Sequence, residues 1–139
     1  DPVRKDRLKK LRIVDSVELA VALLPSLTIN KRNEPIAIHS VCSNFKSGLD
    51  APMLQVAMAC SDHVIQPHEG KCCGMGGDRG FELPGLVMSA GKEIGPAMEQ
   101  TGCSEGYTNA RSCAISLATS SGRQWKSLFH LLEECTRDS

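Results

Sequence analysis

The adjacent pair Cys72-Cys73, in the run Lys71-Cys-Cys-Gly-Met-Gly-Gly-Asp-Arg-Gly80, concentrates the chemistry of this chain. Two neighbouring thiols on a glycine-rich turn contribute little to a core. Thiolate is, however, the ligand that soft metal centres prefer, iron-sulfur clusters and zinc among them. Two further cysteines bracket the pair: 29 residues separate Cys42 from Cys72, and 39 separate Cys73 from Cys113. The glycines at 74, 76, 77 and 80 let backbone N–H groups approach a negatively charged centre closely. Gly74, Gly76, Gly77 and Arg79 are therefore candidate cofactor contacts, and Cys42, Cys72, Cys73 and Cys113 are candidate metal ligands.

Residues this far apart share a site only if the fold brings equivalent element ends together. Asp15-Ser-Val-Glu18 reads as a capped helix start, followed by Val17, Ala20, Val21 and Leu24 at helical spacing and closed by Pro25. Pro35 to Val41 reads as a buried strand ending before Cys42, and His63 to Pro67 as a second strand running into the double-cysteine loop. Between them, Asp50 caps a helix carrying Leu54, Ala57 and Met58. Leu83-Pro84 opens one with Leu86, Ala90 and Ile94 on a single face. Gly102 to Tyr107 is a third, weaker strand, followed by a helix over Ser112 to Ser120 and a last one carrying Leu128, Leu131, Leu132 and Cys135. Such alternation predicts an α/β domain, a small parallel sheet flanked by helices in three α/β/α layers. Open sheets of this kind leave a crevice at the carboxyl ends of their strands, and all four candidate ligands follow strand ends.

The other cysteines and the histidines have plainer readings. Cys60 and Cys135 sit on apolar helix faces and read as small core residues, and Cys103 reads as structural. His39 and His68 could ligate a metal, bond to a sulfide or satisfy backbone groups. Arg79 and Arg111 could offset the charge of a thiolate centre or form an ordinary ion pair, for instance with Asp78. The glycine run is not a dinucleotide fingerprint, because Arg79 stands where the third glycine belongs, and no Gly-Lys-Ser/Thr occurs. Zinc is a rival occupant, although the close cysteine knuckles of structural zinc sites are missing. A cysteine nucleophile, Cys42 beside His39, would leave Cys72-Cys73 unexplained.

With 139 residues, 41% hydrophobic and 23% charged, the chain has the make-up of one compact domain. Its formal net charge is zero. The one basic stretch, Arg4 to Arg12, carries no interleaved aromatic residue to stack on bases, so nucleic acid is not an expected partner. Residues 1–14 read as a basic linker or terminal segment and 15–139 as the cysteine-rich domain. The chain starts Asp1-Pro2 and reads as an excerpt of a longer protein. No apolar run approaches the roughly 20 residues of a membrane span. An odd count of seven cysteines, two of them adjacent, argues against a secreted disulfide framework and for a reducing compartment.

The segments His39-Ser-Val-Cys42, Cys72-Cys-Gly-Met-Gly-Gly-Asp-Arg-Gly-Phe81 and Gly106-Tyr-Thr-Asn-Ala-Arg-Ser-Cys113 resemble the cysteine-rich CCG domain. That domain occurs in heterodisulfide reductase, in iron-sulfur subunits of glycolate and lactate oxidation systems, and in anaerobic glycerol-3-phosphate dehydrogenase. The resemblance spans roughly residues 13–137. It is closest to the C-terminal iron-sulfur region of FAD-linked D-lactate and related D-2-hydroxy-acid dehydrogenases. It implies a [4Fe-4S] cluster relaying electrons from a reduced flavin, held elsewhere in the parent protein, towards a quinone or another acceptor. It further implies a cytoplasmic location, either free or peripheral at the inner face of the membrane, and a fragment inactive by itself. The family pattern ends in Cys-x-x-Cys, whereas Ala110 stands three residues before Cys113. Four thiols thus remain instead of five, which suits a conventional cluster rather than the noncubane type, unless Cys103 or His39 supplies a fifth ligand. The alternative reading is a structural or interaction module, zinc-bound or metal-free.

Overall fold

The computed structural model describes residues 1–137; residues 138 and 139 of the expected domain lie outside the described residues. In chain order the elements are α1 (Pro2–Lys9), α2 (Ser16–Leu23), a 3-10 turn (Leu24–Ser26), β1 (Ile36–His39), α3 (Cys42–Ser47), α4 (Asp50–Cys60) and β2 (Val64–Ile65). They continue with α5 (Arg79–Glu82), α6 (Pro84–Gly91), α7 (Ile94–Gln100), β3 (Glu105–Thr108), α8 (Arg111–Ser121), β4 (Gln124–Ser127) and α9 (Leu128–Thr136). The strands form one parallel sheet in the order β2-β1-β3-β4. The α/β class with a small parallel sheet between helices is therefore the observed one.

Strand alternation sorts the core into two halves. Ile36, Ile38 and Tyr107 face one side, where they meet Val17 and Ala20 of α2, Met53, Val56, Ala57 and Cys60 of α4, and Leu128, Leu131, Leu132 and Cys135 of α9. Ala37 and Trp125 face the other side, against Ile94 and Met98 of α7 and Ala114 and Leu117 of α8. Helix α6 packs outside α8. Gly106 must be a glycine because a Cβ there would enter the Trp125 ring. Helix α2 starts as its sequence suggests: the Asp15 carboxylate accepts from Val17 N at 2.8 Å, and the Glu18 carboxylate accepts from Asp15 N at 3.3 Å.

The elements differ from the sequence expectation in several places, among them a short helix, α5, within the glycine-rich loop. The single helix expected through Leu86, Ala90 and Ile94 is two, broken at Lys92 and Glu93. Pro96 has no N–H to donate and fits the first turn of a new helix, not the interior of a long one. A fourth strand, β4, is too short and polar to show as a run. Cys42 opens a short helix, α3, that the strand-then-helix pattern hides. Within the basic N-terminal segment, Pro2–Lys9 is helical and buries no residue. Among the described residues, no helix is long and apolar enough to cross a membrane.

Candidate metal centre

Strand order decides where the cysteines meet. From the inner strand β1 the chain passes to β2 on one side and then to β3 on the other. This reversal opens a crevice between the loops that leave their carboxyl ends. Cys42 is the first residue of α3 after β1, Cys72 and Cys73 lie in the long loop after β2, and Cys113 is in the first turn of α8 after β3. All four line one cavity of about 290 Å³, shared with Val41, Ser43, Met75, Gly76, Gly77, Ala110 and Ser112. No carboxylate stands in that wall; its side-chain donors are the four thiols, the Met75 thioether and the hydroxyls of Ser43 and Ser112.

One pair of the thiols is in contact. The Cys73 and Cys113 sulfurs lie 3.0 Å apart and are buried, whereas Cys42 and Cys72 are exposed. A hydrogen bond from the Cys113 thiol, assisted by backbone amides at Cys73 and Met75, holds the Cys73 pKa below the usual thiol range. The same contact, with burial, drives that of Cys113 upward, so the pair readily gives up one proton and resists losing the second. Burial and the neighbouring Cys72 raise that of Cys42. Gly74 N donates to Cys72 Sγ at 3.4 Å.

Polar side chains hold the loops that carry these thiols. Asn44, two residues after Cys42, and Asn109, four before Cys113, exchange amide hydrogen bonds of 3.0 and 2.9 Å. Asn44 Nδ2 also donates to Ser40 Oγ at 2.9 Å. This reciprocal pair locks the end of β1 to the end of β3 and was not among the sequence candidates; its only mark there is an asparagine near a cysteine in each loop. On the other side, Ser116 Oγ of α8 donates to the Cys73 carbonyl. His68 Nε2 donates to the Cys72 carbonyl at 2.8 Å.

The remaining candidates are dispersed. Gly76 and Gly77 line the cavity, at φ of 55° and 77°. Gly74, at φ 84°, instead lets the loop seat on α6, where a Cβ would meet Ala90 Cβ and the Leu86 carbonyl, each at 2.7 Å. Arg79 is exposed and outside the cavity wall, and Arg111 lines a neighbouring cavity. Among the described residues neither arginine pairs with Asp78. Cys103 precedes β3, at the opposite end of the strand from Cys113, where its Sγ donates to the Glu105 carbonyl at 3.2 Å; it is not placed to be a fifth ligand. Cys60 and Cys135 are core residues. His39 is wholly buried at the end of β1, its ring centroid 5.7 Å from that of His68. Among the described residues, neither of its ring nitrogens has a partner.

The donor set fits a soft-metal centre in its chemistry: four thiols and no carboxylate. Its spacing is that of contacting thiols. Among the described residues, no three His, Cys, Asp or Glu side chains are placed to hold a single metal ion. Tetrahedral zinc with Zn–S of about 2.3 Å holds its sulfurs about 3.8 Å apart, so Cys73 and Cys113 are too close to share one zinc ion as they stand. A cluster, which takes each thiolate on a different iron, needs them farther apart still. Loading would therefore require the two sulfurs to move apart; Gly70, Gly74, Gly76 and Gly77, all at positive φ, flank Cys73. Comparison with protein-family models, curated proteins and solved structures finds no match to this chain.

Proposed function

We propose that this chain is an iron-sulfur electron-transfer domain of the kind its cysteine motifs resemble, with Cys42, Cys72, Cys73 and Cys113 as the ligands. The observation that carries the reading is that thiols from three strand-end loops line one cavity without a carboxylate. A bound [4Fe-4S] cluster would supply a one-electron relay between a reduced flavin and an acceptor such as a quinone. The chain's own part is to present the thiols, to ease deprotonation at Cys73, and to hold the loops through the Asn44–Asn109 pair and the Ser116 bond. The flavin and a 2-hydroxy-acid substrate belong to other domains or subunits of the parent protein, located in the cytoplasm or at the inner membrane face. The expected partners are thus those domains and the electron acceptor, not nucleic acid.

A second reading, a metal-free thiol module, is favoured by the 3.0 Å approach of Cys73 to Cys113. Anaerobic reconstitution with iron and sulfide separates the two. The cluster reading expects a brown chromophore with an EPR signal on reduction, lost in Cys73→Ser and Cys113→Ser and kept in Cys60→Ala. A colourless product, or a chromophore indifferent to both serine substitutions, would overturn it.

A further inference from the structure

A second cavity, of about 310 Å³, lies beside the thiol centre at the carboxyl ends of β3 and β4. Ala110 stands in the walls of both, so the segment leading into α8 separates them. The second cavity contains no acidic side chain. Its wall includes Arg111 and His130, both exposed, and among the described residues Arg111 has no ion pair. Lys126 contributes little free charge, since its Nζ is held by Glu105 and Glu134 at 3.1 and 2.9 Å.

The electrostatics of the backbone agree with those of the side chains. Helix α8 runs 11 residues and has Ala110 at its N-cap, with no side chain to satisfy the first N–H groups. Those groups and the helix dipole attract an anion. An uncapped helix start is common, but here it coincides with an independent feature. Thr108, in the wall of the same cavity, is wholly buried, and its Oγ1 has no hydrogen-bond partner among the described residues. A buried hydroxyl without a partner is costly, and a ligand oxygen accepting from it would remove that cost. Trp125 closes the apolar side.

We propose that this cavity binds a small oxyanion group, the phosphate or carboxylate of a small molecule. Thr108 Oγ1, the first amides of α8 and Arg111 would be its donors. The proposal does not depend on a cluster. Neither Thr108 nor Arg111 is among the thiol ligands, so its failure would leave the preceding reading untouched.

Trp125 is the only tryptophan of the chain, so its emission reports on this cavity directly. The metal-free chain is titrated with inorganic phosphate and, separately, with acetate, against chloride at matched ionic strength. The expected result is a saturable change with at least one of the two oxyanions and none with chloride. Saturation by phosphate alone assigns a phosphorylated ligand, and saturation by acetate alone a carboxylate. Arg111→Ala and Thr108→Val should each weaken binding about fivefold to tenfold. Arg111 is exposed, so its variant keeps the test valid if Thr108→Val folds poorly. The proposal is overturned by no saturable response to either oxyanion, by an equal response to chloride, or by unchanged affinity in Arg111→Ala.

Discussion

Cys73 and Cys113 show how side chains 40 positions apart become one chemical unit, with 3.0 Å between their sulfurs. Their residue types are legible in the sequence and their contact is not, because it depends on where two loops end. His39 is a sharper case. It reads as a candidate ligand or a satisfied histidine; in the fold it is not part of the thiol cavity's wall, and its buried ring has no hydrogen-bond partner among the described residues. Burial, with some help from His68, lowers its pKa from 6.5 to about 4. The unfolded chain therefore binds a proton that the folded one refuses. The stability this protects is complete above pH 6.5 and is lost as pH falls to about 4, by about 3 kcal/mol at most. Urea unfolding of the metal-free chain should show that loss, and His39→Leu should flatten it. An unchanged slope across this window in the variant would show that His39 is not its source.

The elements act on the site mainly through their junctions. The glycine run is visible in the sequence as permissive backbone, but its members do different jobs. Gly74 combines a positive φ with a close seat on α6, whereas Gly77 has a positive φ and open space. Gly74→Ala should cost about 2–4 kcal/mol, from strain plus overpacking, and reduce cluster loading. Gly77→Ala should cost about 1 kcal/mol. Chemical denaturation of both variants measures the difference, and equal costs would contradict the packing role of Gly74. The break between α6 and α7 follows similar logic: the apolar spacing through Ile94 suits one helix, and Pro96 decides for two.

Across the molecule, β3, β4, α9 and the segment before β1 are joined by one charged network. Arg32 donates to the Glu105 carboxylate at 2.9 Å and to that of Glu134 at 3.2 Å, Lys126 bridges the same two carboxylates, and the Tyr107 hydroxyl sits among them. Burial by itself would raise the Glu105 pKa, but bonds from Arg32, Lys126 and Tyr107 outweigh it and hold it at about 2. Its contribution is present above the ordinary value of 4.5 and disappears as pH falls towards 2. After allowance for partial solvent screening, Glu105→Gln should lose about 1–2 kcal/mol at neutral pH. The two proteins should converge in acid. A stability gap of constant size down to low pH would remove this network from the account.

The α/β class, the helix capped by Asp15 and the four thiols with their glycine wrapping follow from local rules: periodicity, capping chemistry and residue type act over a few neighbours and so can be read along the chain. Strand order, the reversal between β1 and β3, the fourth strand, the Asn44–Asn109 pair and the Thr108 cavity arise between segments distant in sequence. No local pattern encodes them, because each exists only where packing the two faces of the sheet brings loop ends together.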